Sequence, residues 1–156
     1  MRKGHVMSKL AFIFPGQGAQ KAGMGKDFYE NSEAARSFFD QAQKILDFDL
    51  KEMCFGEHEE LNLTEYTQPC MVSVCLAIVQ ELKKRGINPD ITAGLSLGEY
   101  AAVAAAGGMN ELDAIKLVRR RGILMQSTVP AGEGAMAAVL GLDAKKIEEI
   151  LESFEN

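Results

Sequence analysis

Asp90-Ile91-Thr92-Ala93-Gly94-Leu95-Ser96-Leu97-Gly98-Glu99-Tyr100-Ala101-Ala102 decides how this chain is read. Asp90 to Leu95 has the pattern of a short strand, and Gly98 to Ala106 is a run of very small residues suited to a helix packed closely on a sheet. Between them, Gly94-x-Ser96-x-Gly98 fits the elbow in which a serine sits on a sharp, strained strand-to-helix turn. The residues two positions either side must then be nearly free of side chain. Such a turn sets the Leu97 backbone N–H and the positive end of the following helix beside the serine oxygen. Those groups stabilise the oxyanion of a tetrahedral intermediate. The bland alternative is a plain strand-turn-helix junction, with glycines for packing and serine as a helix cap.

Upstream, Leu10-Ala11-Phe12-Ile13-Phe14 is a continuous apolar run, the pattern of a strand covered on both faces. Ser32 through Leu46 reads as an amphipathic helix capped by Ser32, with Ala35, Phe38, Phe39, Ala42, Ile45 and Leu46 on one face. Residues 50–63 read as a short, irregular, acidic segment. Thr67 opens a long helix to Arg85, with Pro69 in its first turn and Gly86 as its stop. The near-continuous apolar stretch Met71 to Val79 makes that helix central.

Downstream, Asn110 or Glu111 starts a helix running to about Ser127, Ala135 to Leu140 reads as a strand, and Asp143 caps a last helix through Phe154. Alternating strands and helices predict an α/β fold with a parallel sheet. About three strands are visible, few for such a sheet, so an open edge and self-association of the isolated polypeptide are expected.

Pro15-Gly16-Gln17-Gly18-Ala19-Gln20 follows the first strand, where ligand sites of open α/β sheets lie. It lacks the Lys-Ser/Thr ending of a phosphate loop and the third glycine of a dinucleotide fingerprint. It offers a polar amide, Gln17, between glycines that let backbone approach a ligand. Acyl transfer needs a second oxyanion donor from a neighbouring loop; a structural turn with Gln17 in solvent is the alternative.

Arg119, Arg120 and Arg121 are consecutive on a helix and, at about 100° per residue, cannot share a face. Ala114, Leu117, Val118, Gly122, Leu124 and Met125 define an apolar side with Arg121 in its middle; Lys116, Arg119 and Arg120 fall on the polar side. An inward guanidinium is costly unless an anion meets it. Its planar fork suits a carboxylate, and a structural ion pair with Glu99 is the competing account.

The chain has 156 residues, 47% hydrophobic and 25% charged, with a net charge of −5, which suits a globular domain and opposes a nucleic-acid surface. No apolar run approaches the roughly 20 residues of a membrane span. Leu10 to Phe14 is too short for a secretory leader, although Met7 rather than Met1 is a possible start. Cys54, Cys70 and Cys75 form no CxxC pair, which fits a reducing, cytoplasmic compartment and no metal site. His5 and His58 lie in polar surroundings away from the motifs.

FIFPGQGAQ (Phe12 onward), Thr67-Gln68-Pro69, GLSLGEYAA (Gly94 onward), Arg121-Gly122 and Pro130-x-Gly-x-Gly-Ala-Met-Ala-Ala-Val together resemble malonyl-CoA:acyl-carrier-protein transacylases, in that family's order. The likeness runs from Leu10 to about Phe154 and looks like the front half of such an enzyme. It implies the first part of an α/β-hydrolase-like parallel core over 9–129 after a disordered segment or extension at 1–8, and the first strand and helix of an inserted ferredoxin-like subdomain over 130–156. By the resemblance, Ser96 accepts malonyl from coenzyme A, Gln17 and the Leu97 N–H form the oxyanion hole, Arg121 clamps the malonyl carboxylate, and Gln68 is an active-site glutamine.

The resemblance also implies no cofactor beyond the substrates malonyl-CoA and the phosphopantetheine arm of acyl carrier protein. It implies a monomeric parent, with no nucleic-acid or membrane partner. Two departures stand out. Leu95 takes the place of a histidine common before the serine, and the family's catalytic histidine is expected beyond Asn156, so the polypeptide alone is expected to be inactive. An α/β-hydrolase-type esterase or thioesterase, or a non-catalytic module binding acyl-CoA or carrier protein, are the other readings.

Overall fold

The computed structural model describes residues 9–128 and 139–154. Strands β1 (Ala11–Phe14) and β2 (Ile91–Gly94) pair in parallel, with Ala11 opposite Ile91 and Phe14 opposite Gly94. Asp90 secures the start of the ladder: its Oδ2 accepts from the Leu10 N–H at 2.7 Å, and its own N–H donates to the Leu10 carbonyl at 2.8 Å. Between the strands run α1 (Lys26–Asn31), α2 (Glu33–Gln43), α3 (Leu50–Phe55), a 3-10 turn (Glu59–Asn62) and α4 (Thr64–Lys84). After β2 come α5 (Gly98–Ala105), α6 (Glu111–Thr128) and α7 (Ala144–Glu152). The strand expected over Ala135 to Leu140 falls mostly outside the described residues.

The core is built around α4, which buries residues on every side, including Cys70, Met71, Val72, Leu76, Ala77 and Val79. Helices α2, α5 and α6 pack against it. Their contributions are Phe38 and Phe39 from α2, alanines 101, 102, 104 and 105 from α5, and Ala114, Ile115 and Val118 from α6. The alanines bring α5 close to β1 and β2 as well.

Helix starts follow their caps. Ser32 Oγ accepts from the Ala35 N–H, Asp49 from Glu52, Asn110 from Leu112 and Asp143 from Lys146, each satisfying an N–H that the helix leaves open.

Several expectations need correction. The segment 50–63 is not irregular: Asp49 caps α3, and a 3-10 turn follows. Helix α1 was not foreseen; it begins at Gly25, whose φ of 78° and close contact with Phe39 and Val74 (3.1 Å from a Cβ placed there) require glycine. The long helix starts at Thr64 rather than Thr67, because the side chain of Gln126 accepts the Thr64 N–H at 3.0 Å and holds an earlier turn. Pro69 therefore stands inside the helix rather than in its first turn. Having no N–H, it leaves the Glu65 carbonyl without its helical donor, and Nη1 of Arg119 fills that place at 2.7 Å.

Strand β1 is not covered on both faces among the described residues. Phe14 is buried, yet Ile13 is 72% exposed. Helix α5 covers the sheet on one side, while β1, Met24 and the α4 side chains Met71, Val74, Ile78 and Leu82 line an open apolar groove of about 410 Å³. No helix among the described residues is long and apolar enough to cross a membrane.

Candidate functional site

Ser96 sits where β2 bends into α5, with φ of 49°, and among the described residues it is the sole non-glycine at positive φ. That conformation strains an L-residue and is stored where the surroundings enforce it. Steric contacts enforce it here. A Cβ on Gly94 would overlap the Gly98 backbone, and one on Gly98 would overlap the Phe14 carbonyl. The G-x-S-x-G spacing is thus a packing necessity. Leu97 is 1% exposed and anchors the bend from below, while Ser96 faces outward. The Leu97 N–H has no acceptor among the described residues.

The loop after β1 runs along this bend. Leu95 N–H donates to the Phe14 carbonyl at 3.1 Å, and a Cβ on Gly16 would lie 2.9 Å from the Leu95 carbonyl. Leu95, standing just before the serine, lays its own side chain over Gly16. Gln17 is exposed, and its backbone N–H also has no acceptor among the described residues. Its side chain is directed at the start of α4, with Nε2 donating to Thr64 Oγ1 at 3.0 Å. Gln20 braces the loop, accepting from the Gly18 N–H at 2.7 Å and donating to Asn62 Oδ1 at 3.1 Å.

The second half of the site joins α4 to α6. Gln68 is fully buried; its Oε1 accepts from Arg121 Nη1 at 2.8 Å and its Nε2 reaches the Met125 sulfur at 3.3 Å. The Arg121 guanidinium lies 5.6 Å from the centre of the Tyr100 ring, and Tyr100 follows Ser96 by one helical turn on α5. Arg121 has no ion pair among the described residues. The competing account through Glu99 is not realised: the partner is a neutral amide, which leaves the guanidinium without a counter-charge and with further N–H groups to offer an anion. Gly122 explains the approach, since a Cβ there would come within 2.8 Å of Glu65 Cα and the Thr64 carbonyl.

The expected faces of α6 also change. Leu117, Leu124 and Met125 are exposed, and the buried stripe is Ala114, Ile115, Val118 and Gly122. Arg119, expected on the polar side, has a side chain only 13% exposed. It holds Asp47 through two parallel bonds of 2.9 and 3.0 Å, a geometry that depresses the Asp47 carboxyl below its ordinary range. Its guanidinium also lies against the rings of Phe48 and Tyr66. Helical phase weighs one helix at a time and cannot see partners supplied by α4 and the α2–α3 loop. The roles of Tyr100, Thr64 and Gln126 are hidden from the sequence for the same reason.

The structure thus brings the Ser96 elbow and the Gln17 loop into contact, and pairs Gln68 with Arg121 behind Tyr100. His58 belongs elsewhere: its Nε2 lies 3.0 Å from Glu52 Oε1. Among the described residues no cluster of His, Cys, Asp and Glu is suited to hold a metal ion.

The chain matches the family described as acyl transferase domain over residues 11–155. It is 50% identical over 145 residues to the malonyl CoA-acyl carrier protein transacylase of Bacillus subtilis (strain 168), covering 92% of this chain and 46% of that protein. Its structure is similar to that of the malonyl CoA-acyl carrier protein transacylase from Clostridium perfringens, with a TM-score of 0.82, 44% identity, and 94% and 46% of the two chains covered. It is also similar to a malonyl-transacylase solved in complex with a type II PKS acyl-carrier protein, with a TM-score of 0.84, 39% identity, and 94% and 48% covered. The chain belongs to the acyl transferase domain family and spans about half the length of the malonyl CoA-acyl carrier protein transacylases it matches.

Proposed function

We propose that this chain carries the serine-bearing part of an acyltransferase that moves malonyl from coenzyme A to the phosphopantetheine thiol of acyl carrier protein, in fatty-acid synthesis in the cytoplasm. The observation that carries the reading is the strained elbow at Ser96, backed by a half-buried Arg121 whose guanidinium has, among the described residues, the amide of Gln68 as its one hydrogen-bond partner.

In this reading Ser96 Oγ attacks the thioester carbonyl, forming a C–O bond. The oxyanion of the tetrahedral intermediate takes hydrogen bonds from the Leu97 N–H and from Gln17. Collapse breaks the C–S bond, and the serine proton passes through a general base to the departing thiolate of coenzyme A. The carrier-protein thiol then reverses these steps and leaves Ser96 free. Arg121, held by Gln68, orients the malonyl carboxylate so that the thioester faces the hydroxyl. No cofactor enters this chemistry.

In this reading the base is a histidine, which the family resemblance leads us to expect beyond Asn156. The histidines of this sequence are His5 and His58, and His58 is paired with Glu52. Residues 9–129 would form part of an α/β-hydrolase-like core, and 130–156 the opening strand and helix of a ferredoxin-like insert.

Mass spectrometry tests the reading. Incubated with malonyl-CoA, the full-length gene product should gain a malonyl group on the peptide containing Ser96 and lose it when carrier protein is added. Acylation elsewhere, or none, rejects the assignment. The 156-residue polypeptide by itself should turn over roughly a thousandfold or more slowly, the usual effect of a serine nucleophile without its base.

A further inference from the structure

We propose that Arg119 is a positioning residue for the carboxylate clamp: by taking the Glu65 carbonyl that Pro69 leaves open, it fixes α6 against α4 and thereby sets Arg121 beside Gln68. The inference rests on the acyl-transfer reading and deepens it.

Arg119 is tied on every side. Asp47 receives Nε and Nη2 in a fork, Nη1 donates to the Glu65 carbonyl at 2.7 Å and also reaches Glu65 Oε2 at 3.2 Å, and Phe48 and Tyr66 flank the plane at 5.2 and 5.0 Å. So fixed, it is a reference point rather than a mobile surface charge. Gly122, three residues further along α6, meets the same part of α4, at the Thr64 carbonyl and Glu65 Cα. Arg119 and Gly122 thus clasp one turn of α4 between them.

Gln68 lies one turn beyond Glu65 on α4, and Arg121 lies between Arg119 and Gly122 on α6. The 2.8 Å bond from Arg121 to Gln68 inherits its geometry from that clasp. Pro69 favours the arrangement. An ordinary residue at 69 would donate its own N–H to the Glu65 carbonyl, and the guanidinium would share that oxygen instead of having it to itself.

The test compares acylation of Ser96 by malonyl-CoA with acylation by acetyl-CoA, which lacks the free carboxylate, in the full-length gene product and in Arg119→Gln and Arg119→Lys. Both variants should lose malonyl preference, roughly tenfold to a hundredfold, as a clamp displaced by about 1 Å would. The rate with acetyl-CoA should stay within about twofold. Arg119→Lys keeps the charge without the fork, so a loss of preference in that variant isolates geometry.

Equal loss toward both thioesters, with a lowered Tm, makes Arg119 merely structural and overturns the proposal. Should Arg119→Gln fail to fold, Asp47→Asn, which loosens the fork from the other side, must show the same selective loss. Retained preference there or in Arg119→Lys also overturns it. A wild type without malonyl preference sinks the acyl-transfer reading and this proposal together. A wild type with preference that the variants keep sinks this one alone.

Discussion

Arg121 donates to Gln68 across 2.8 Å, and the acceptor is an amide oxygen with no charge to offset the guanidinium. A cation partly withdrawn from water beside a neutral partner is a poor way to stabilise a fold and a good way to await an anion. Arg121→Ala should therefore cost about 2 kcal/mol or more of transition-state stabilisation for a free-carboxylate thioester, a thirtyfold or larger loss. Acetyl-CoA should be largely unaffected. An esterase of the hydrolase type would show no such difference, so the ratio of the two rates decides between those enzymes.

The left-handed backbone of Ser96 makes a prediction that separates stability from chemistry. Glycine adopts φ near 49° without the penalty that an L-side chain pays, about 1 kcal/mol or more, although it gives back part of that through the entropy of the unfolded chain. Ser96→Gly should melt at or above the wild-type temperature while losing all covalent labelling by malonyl-CoA. Ser96→Val should melt lower, since a branched side chain suits that conformation least. A several-degree fall for the glycine variant would refute strain at the elbow.

Ser32 serves two partners. Its hydroxyl caps α2 by accepting from the Ala35 N–H at 3.0 Å and donates to Glu81 Oε2 at 2.5 Å. That donation, together with the guanidinium of Arg85, holds the Glu81 carboxyl below its ordinary range. A depressed carboxyl lends stability that is complete above the unfolded value near about 4.3 and fades as pH falls through the folded value. Ser32→Ala should cost about 1 kcal/mol for the cap alone. Melting curves should show the gap from wild type widest above about pH 5 and narrowing in acid toward the cap contribution. A gap that widens in acid would contradict the linkage.

The groove beside β1 bears on solution behaviour. Ile13, which is 72% exposed, lines it, and the groove of about 410 Å³ is apolar along its length. A contiguous surface of this kind favours association. The 156-residue polypeptide should sediment as more than a monomer and bind an apolar dye, and Ile13→Glu should reduce both. A monomer that ignores the dye would contradict the expectation.

Much of this architecture was legible in the residues. Gly94 and Gly98 marked the elbow, and their steric necessity explains why so short a pattern is informative. Ser32, Asn110 and Asp143 announced their helices because a capping side chain bonds within its own turn. What escaped notice depended on other segments. The start of α4 at Thr64 is held by Gln126, 62 positions further along the chain, and Arg119 is drawn inward by Asp47 and Glu65 against its own helical phase. Helix α3 leaves little trace in the sequence because six residues carry too little periodicity to register. Pro69 was the one local clue to the Arg119 contact, since an interior proline always strands a carbonyl four residues back.

That proline carries an implication for engineering. By the ordinary rules of helix propensity, alanine at 69 would improve α4, closing its ladder and removing a residue that helices reject. Yet the oxygen so satisfied is the one by which a neighbouring helix is moored. A stabilising programme that scored each segment separately would choose that change first, and would weaken the anchorage of α6 for a better α4.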